Sequence, residues 1–262
     1  MITSGGQTMT QVNGLYVLEN YGAFQGEGTL VGQPSYFIRF SGCSVGCKWC
    51  DTKYSWKSAS GTMYNVNALL DVIEGSGYEN IVFTGGEPFE QDATLLSQLA
   101  VNLTPEFFKQ ITWETSGTQP IPSGILQSRI PTLLSLAPKL LSAESNYPFP
   151  DLNPFLRAAL EHPLLTAQIK FVLNVQDLKA MQQELAYIRN IIHRYDLVST
   201  NVPIIYTPVT VFNRDPVIVR NQIAIDMERL NLWFQHNSLY QMGNYRILPQ
   251  MHAMVYGSKK GI

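Results

Sequence analysis

The sequence is poor in charge and in cysteine, and it lacks any long apolar run. Only 15% of its 262 residues are charged and the formal net charge is −2. This balance excludes the global basic field that draws proteins to nucleic acid or anionic membranes. No stretch of about 18 consecutive apolar residues occurs, and residues 1–14 carry neither a Lys/Arg cluster nor an apolar run. We therefore expect a cytoplasmic protein that binds neither membrane nor nucleic acid.

Apolar residues make up 45% of the chain, which is enough for a sizeable core. Short β-rich runs alternate with helix-like stretches, and this alternation predicts an α/β fold with a mainly parallel sheet. The predicted strands are Tyr36–Ser41, Asn80–Thr84, Gln110–Glu114, Leu133–Ala137, Ala167–Leu173, Val202–Tyr206 and Tyr245–Leu248. The predicted helices are Val66–Glu74, Gln91–Val101, Asn153–Glu161, Val175–His193 and Pro216–Phe234.

About six βα units favour a partial (β/α) barrel over a complete one. We expect a single domain over residues 1–262, with residues 1–14 as a flexible N-terminal extension and residues 52–65 as an irregular loop. In such folds the chemistry gathers at the C-terminal ends of the strands.

The three cysteines, Cys43, Cys47 and Cys50, are spaced C-x3-C-x2-C directly after a predicted strand. An odd number within eight residues is a poor disulfide framework. Thiolates are soft ligands that suit iron–sulfur clusters, zinc or copper(I). A four-iron cluster held by three cysteines leaves one iron open to an external amino acid, through its amino and carboxylate groups.

Two other interpretations of the cysteines remain open at this point. Structural zinc takes four protein ligands, and the chain has no fourth cysteine, so a zinc site needs a distant histidine. The candidates are His162, His193, His236 and His252. The cysteines could also be buried structural residues.

A second motif, Gly85-Gly86-Glu87-Pro88, ends the next predicted strand. Two glycines at a strand end allow a ligand to approach the backbone closely, and Glu87 could accept a hydrogen bond from an ammonium group. Alone, the motif is an ordinary turn. Together with the cysteine spacing it resembles the radical S-adenosylmethionine superfamily, which implies a partial α/β barrel with the cluster on its first loop.

Further segments narrow the resemblance. They are Phe24–Gly28, Gly32–Pro34, Phe37–Arg39, Asp51–Thr52, Trp113–Thr118 and Leu248–His252. With these the chain is similar to the 7-carboxy-7-deazaguanine synthases. The resemblance implies a lyase that converts 6-carboxy-5,6,7,8-tetrahydropterin to 7-carboxy-7-deazaguanine with loss of ammonia, for queuosine-type bases. It also implies a 4Fe-4S cluster, S-adenosylmethionine and Mg²⁺ as cofactors, an electron donor such as flavodoxin or ferredoxin, and a homodimer.

The same resemblance implies a set of site residues. The metal ligands would be Cys43, Cys47 and Cys50 for the cluster and Thr52 for magnesium. The cofactor contacts would be Trp49, Gly85, Gly86, Glu87, Glu114, Ser116, Ser135 and Lys139. The substrate contacts would be Phe24, Gln25, Gly26, Glu27, Arg39, Thr84 and Ile262. Chemically, Gln25 and Glu27 suit the donor and acceptor edge of a pterin, and Arg39 suits a carboxylate.

The chain departs from the family pattern at two places. Ala137 replaces the serine of a Ser-Pro-Lys segment, and Ser135, on the same strand face, is expected to compensate. Thr207-Pro208 stands where the family often has Gln-Pro. Two alternative functions remain open: a glycyl-radical activating enzyme, which shares the cysteine spacing, and a non-catalytic metal-binding module.

Overall fold

One mixed sheet organises the chain, which the computed structural model describes over residues 14–210, 213, 215–236 and 243–257. Its nine strands are β1 Leu15–Phe24, β2 Pro34–Phe40, β3 Thr62–Tyr64, β4 Asn80–Gly85, β5 Gln110–Thr115, β6 Thr132–Leu136, β7 Leu165–Leu173, β8 Ile204–Pro208 and β9 Tyr245–Ile247. The described α-helices are α1 Val66–Glu74, α2 Ala93–Asn102, α3 Asn153–Glu161, α4 Leu178–Arg194, α5 Pro216–His236 and α6 Met251–Tyr256. The predicted N-terminal extension lies outside the described residues, except for Gly14.

The strand order is β3-β1-β2-β4-β5-β6-β7-β8-β9. From β2 to β9 every neighbouring pair is parallel, whereas β1 pairs antiparallel with both β2 and β3. The sheet is not closed, because β3 and β9 stand at opposite ends of the order. The predicted mainly parallel, partial barrel is confirmed.

The parallel strands are apolar because helices cover them. Strand β6 is buried at all five positions, and parallel strands covered on both faces typically lack polar alternation. Phe83 of β4 stacks on Trp113 of β5 with ring centroids 4.1 Å apart, in the centre of the core. Two helices that begin at side-chain caps flank this core: the Asn65 side chain accepts from the backbone of α1, and Asp177 does the same for α4.

Three elements escaped the sequence prediction. Strand β1 carries polar residues at its centre and a register shift between Val17 and Glu19 against β2, which disturbs the two-residue period. Strand β3 is only three residues long, and helix α6 six residues, too short for a clear periodicity. The irregular loop predicted for residues 52–65 is therefore wrong at Thr62–Tyr64.

Candidate active site

A cavity opens where the parallel strands end, as expected for this class of fold. Residues at or just beyond the C-terminal ends of six neighbouring strands line it. From β2 to β8 they are Arg39, Thr84, Gly85, Glu114, Thr115, Ala137, Lys139, Lys170, Val172, Val209 and Thr210. The loops that carry Cys43 and Gln25 form its other walls.

The cysteine loop presents all three thiols to this cavity. Its backbone is held from outside: Gly42 donates to the Ser55 carbonyl at 2.7 Å, and Lys48 donates to the Ala143 carbonyl at 2.8 Å. Gly42 and Gly46 both have positive φ, +95° and +68°, which a glycine adopts without strain. These hydrogen bonds and glycine conformations fix the path of the loop.

Burial governs the protonation of two of these thiols. It raises the pKa of Cys43 to about 11, and it raises the pKa of Cys47, which nearby Lys139 opposes. The Trp56 indole N–H donates to Cys50 Sγ at 3.3 Å. Hydrogen bonds of this kind change the reduction potential of a metal centre when the sulfur is one of its ligands. Buried thiols become thiolates only beside strong positive charge, and iron supplies it.

A single ion does not suit this geometry. In the described part of the chain, no group of three or more His, Cys, Asp or Glu side chains is placed to hold one metal ion. Tetrahedral zinc would bring its thiolates within about 4 Å of one another, since each Zn–S bond is about 2.3 Å. A four-iron cluster binds each thiolate to a different iron and separates them further. The donor set therefore fits the cluster better than zinc.

The glycine motif packs directly against the cysteine loop. A Cβ on Gly86 would lie 2.1 Å from the Gly42 carbonyl oxygen, and one on Gly85 would lie 2.3 Å from that of Phe40. Gly86 donates to Phe40 and Glu87 to Gly42, at 3.0 and 2.8 Å. The glycines thus allow two backbone segments to meet, in addition to leaving room for a ligand.

Glu87 lines the cavity and is also bonded to the end of β5. Its side chain is 1% exposed. One carboxylate oxygen accepts from Thr115 Oγ1 at 2.6 Å and from the Phe89 amide at 3.3 Å. The other accepts from the Ser116 amide at 2.7 Å and its hydroxyl at 2.5 Å. Through these bonds Glu87 positions the end of β5, and its contact with a ligand's ammonium group stays a prediction.

Three predicted site residues form one hydrogen-bonded chain. Glu114 accepts from Gln25 Nε2 at 3.1 Å and from Thr84 Oγ1 at 2.7 Å. Gln25 in turn accepts from the Glu27 amide at 3.1 Å. Glu114, predicted as a cofactor contact, thus lies between two predicted substrate contacts.

Arg39 lies in the cavity wall with a fixed orientation. Its Nε donates to Glu19 Oε1 at 2.7 Å and its Nη2 to the Tyr21 hydroxyl at 3.0 Å. The Tyr54 hydroxyl also donates to Glu19, at 2.8 Å. No described residue accepts a hydrogen bond from Nη1, so one edge of the guanidinium remains for an anionic ligand.

Residues that sequence reasoning missed complete the opposite wall. Glu27 forms an ion pair with Lys170 of β7 and accepts from Gln250 Nε2 at 2.6 Å. His252 packs against Gly26, where an added Cβ would lie 2.3 Å from its Nδ1. A lysine inside a largely buried strand indicates that some ionic partner is near, but it does not indicate which one.

The remaining predicted site residues differ in whether they line the cavity. Phe24, Trp49 and Lys139 line the cavity, and so does Thr52, whose hydroxyl donates to Asp51 at 3.1 Å. Ser135 does not line it: its hydroxyl accepts from Gln168 Nε2 at 2.8 Å. That Ser135 compensates for Ala137 stays a prediction. Ile262 lies outside the described residues.

Unmet polar groups in the cavity wall fit the expected cofactors. Trp49 Nε1 and Thr210 Oγ1 are buried and lack a hydrogen-bond partner among the described residues. A ligand with ribose and amino-acid groups would satisfy such atoms. Thr210 stands two residues beyond Pro208, near the place of the missing Gln-Pro contact. The oxygens of Thr52 and Asp51 are the hard donors that magnesium prefers.

Comparison with known proteins agrees with this geometry. A family profile described as a 4Fe-4S single cluster domain matches residues 24–122. The 7-carboxy-7-deazaguanine synthase of Pyrobaculum aerophilum is 28% identical over 94% of this chain and 96% of its own length. That of Rhodopirellula baltica is 34% identical over 66% of this chain and 67% of its own length.

The crystal structure of QueE from Escherichia coli shares the fold, with a TM-score of 0.62 and 24% identity over 91% of this chain and 94% of that one. No helix in the described ranges is both long and apolar enough to cross a membrane. These matches favour the 7-carboxy-7-deazaguanine synthases over the two alternative functions, a glycyl-radical activating enzyme and a non-catalytic metal-binding module. On these matches, together with the cysteine loop and its cavity, the chain belongs to the 7-carboxy-7-deazaguanine synthase family.

Proposed function

We propose that the protein converts 6-carboxy-5,6,7,8-tetrahydropterin to 7-carboxy-7-deazaguanine with release of ammonia. The observation that carries the proposal is a single cavity with two unlike ends. Its lining combines two unlike groups of residues: three free cysteines, which we call the cysteine end, and Gln25, Glu27 and Arg39, which we call the substrate end. A chain of this family with that arrangement can hold a cluster and a polar bicyclic carboxylate side by side.

The cysteine end would hold the cofactors. Cys43, Cys47 and Cys50 would bind three irons of the cluster. Bound there, the cluster and S-adenosylmethionine would supply the radical chemistry of the reaction, and the protein would hold the substrate beside them. Gly85, Gly86, Trp49, Ser116 and Lys139 would contact S-adenosylmethionine, and Thr52 would bind magnesium.

The other end would bind and orient the pterin. Gln25 and Glu27 would hydrogen-bond its ring edge, and the free edge of Arg39 would bind its carboxylate. Thr84 pairs with Arg39 in the sheet register, and Glu114 accepts from both Gln25 and Thr84. These contacts would hold the proposed substrate residues in fixed positions. The walls of the cavity would limit the access of water to the reacting carbon. Ile262 is proposed as an additional substrate contact through its terminal carboxylate.

The environment of the enzyme follows from its chemistry. Three free thiols and an exchangeable cluster require a reducing compartment, so we place the single-domain protein in the cytoplasm. An electron donor such as flavodoxin or ferredoxin would reduce the cluster.

A homodimer is supported by helix α5. Its apolar residues Ile218, Ile225 and Leu232 recur every seven positions and are 52%, 45% and 44% exposed. Such a stripe favours contact with a second apolar surface. Ile225→Lys should convert a dimer to a monomer in light scattering, and a wild-type monomer would contradict the proposal.

The function is tested by anaerobic incubation of the reconstituted protein with dithionite, S-adenosylmethionine, magnesium and the carboxy-tetrahydropterin. We expect 7-carboxy-7-deazaguanine and ammonia in equal amounts. A preparation with a fully loaded cluster that yields no deazaguanine would overturn the assignment.

A further inference from the structure

We propose that Lys170 is a positioning residue that holds Glu27 ionised and oriented, and thereby makes the site prefer a ligand edge rich in N–H donors. The inference rests on the proposed function, since it takes a pterin as the ligand. Lys170 lies on β7, an interior strand of the sheet, and it has no part in the proposed binding of the cofactors.

The loop of residues 25–33, which carries Gln25 and Glu27 and which we call the substrate loop, packs on β7. Gln168 and Lys170 are two residues apart, so their side chains leave the same face of the strand. Gln168 accepts from the Thr29 amide at 2.8 Å and anchors its own amide group on Ser135. A Cβ on Gly28 would lie 2.2 Å from Gln168 Nε2. The loop therefore rests directly on this face.

Both carboxylate oxygens of Glu27 have a partner. Lys170 pairs with Oε2, and Gln250 donates to Oε1 at 2.6 Å. The Lys170 and Glu27 side chains are each only 12% exposed. Two segments far apart in the sequence thus fix one carboxylate, which also lines the cavity.

The charge of that carboxylate decides which ligand groups it can bind. A buried carboxyl without a counter-charge takes up a proton. An ionised carboxylate only accepts hydrogen bonds, whereas a protonated one also donates. With Lys170 beside it, Glu27 stays an acceptor, and its remaining lone pairs suit the 2-amino group and adjacent ring N–H of a pterin. A ligand that presents a carbonyl oxygen there meets an acceptor and is disfavoured.

The test uses two stable probes on the reconstituted enzyme with S-adenosylmethionine and magnesium. Pterin-6-carboxylate carries the 2-amino group, and lumazine-6-carboxylate has an oxygen in its place. We expect wild type to prefer the pterin. Lys170→Met should weaken pterin binding about tenfold to a hundredfold, the loss typical of a charge-assisted hydrogen bond, and change lumazine binding little.

Matched variants separate charge from structure. Lys170→Arg should retain most of the preference because it keeps the positive charge, and Glu27→Gln should lose it as Lys170→Met does. Lys109→Met removes an exposed lysine of another ion pair, with Glu79, and should bind both probes as wild type does. Iron content and thermal melting check that each variant is loaded and folded.

Two outcomes would overturn the inference: a Lys170→Met enzyme that keeps the wild-type preference, or one that loses both probes equally. Failure of the proposed function looks different. In that case the wild-type enzyme itself neither turns over the tetrahydropterin nor binds pterin-6-carboxylate.

Discussion

The two ends of the cavity are built in opposite ways. At the cysteine end, residues 42–56 fold on themselves and on the neighbouring turn at Gly86 through backbone hydrogen bonds. At the substrate end, Glu27, Lys170 and Gln250 come from three distant parts of the chain. A local motif with backbone support from Ala143 and Asn146 therefore specifies the first end, whereas the second depends on the complete sheet.

The two ends also differ in how well their polar groups are satisfied. The cysteine end keeps a buried indole N–H without a partner on Trp49 and, on Cys43, a thiol whose pKa is raised by burial. At the substrate end, the Glu27 and Glu114 carboxylates already have partners on both oxygens. The first end is completed by its cofactors, and the second is preorganised for its ligand.

The sharpest test of this contrast is Cys47→Ala. We expect it to abolish cluster loading, because three irons need three thiolates, yet to leave the fold of the substrate end intact. Iron and sulfide analysis measures the loss, and pterin-6-carboxylate binding measures what remains. A loaded cluster in this variant would contradict the assignment of Cys47.

Arg39→Ala should have the next largest effect, in the reverse sense. The cluster should load normally, while turnover falls by at least about tenfold, since one charged hydrogen-bond partner of the substrate is lost. Single-turnover product analysis at matched iron content measures it. Normal turnover would remove Arg39 from the site.

Glu87→Gln tests the framework shared by both ends. The amide nitrogen cannot accept from Thr115 or Ser116, so buried donors lose their partner, and we expect the free energy of unfolding to fall by about 1–3 kcal/mol. Chemical denaturation measures it, with Glu79→Gln on the exposed surface as the control. An unchanged stability would mean that the bonds to Glu87 contribute nothing.

A pH profile should show a smaller effect at the substrate end. Burial lowers the pKa of Lys170 to about 8, so the lysine is charged below that pH and neutral above it. Glu27 and His252 face it; burial lowers the pKa of His252 to about 4, so the imidazole stays neutral near pH 8. Affinity for pterin-6-carboxylate should therefore fall as pH rises through about 8, and Lys170→Arg should flatten the profile. A wild-type profile that is already flat would exclude Lys170 as its cause.

The smallest predicted effect is a gain at the cysteine end. Ala137→Ser restores the hydroxyl that the family pattern has in the cavity wall. One neutral hydrogen bond is worth about 0.5–1.5 kcal/mol, so S-adenosylmethionine affinity should rise a few-fold in equilibrium binding. Ala137→Val is the matched control, since it adds volume without a donor.

The same contrast explains what sequence alone could reveal. The cysteine loop and the glycine turn were predictable because their function depends on neighbours in the chain. Helices α1 and α3 were predicted with the observed bounds, because the Asn65 cap of α1, the proline in the first turn of α3 and apolar periodicity are local signals. Lys170 was not predictable, since nothing in residues 165–173 indicates that Glu27 lies opposite. The hydrogen bond between Ser135 and Gln168 was not predictable for a similar reason, because Gln168 belongs to another strand.

The loop support from Ala143 and Asn146 has a consequence for biosynthesis. The contacts that the structure describes for the cysteine loop, of which the one with Tyr147 lies furthest along the chain, can form once residue 147 has left the ribosome, whereas Gln250 follows about a hundred residues later. At ordinary elongation speeds this delay is on the order of ten seconds. A nascent chain could thus receive its iron before it can recognise a pterin, and oxygen exposure during translation should damage the enzyme more than the same exposure after release.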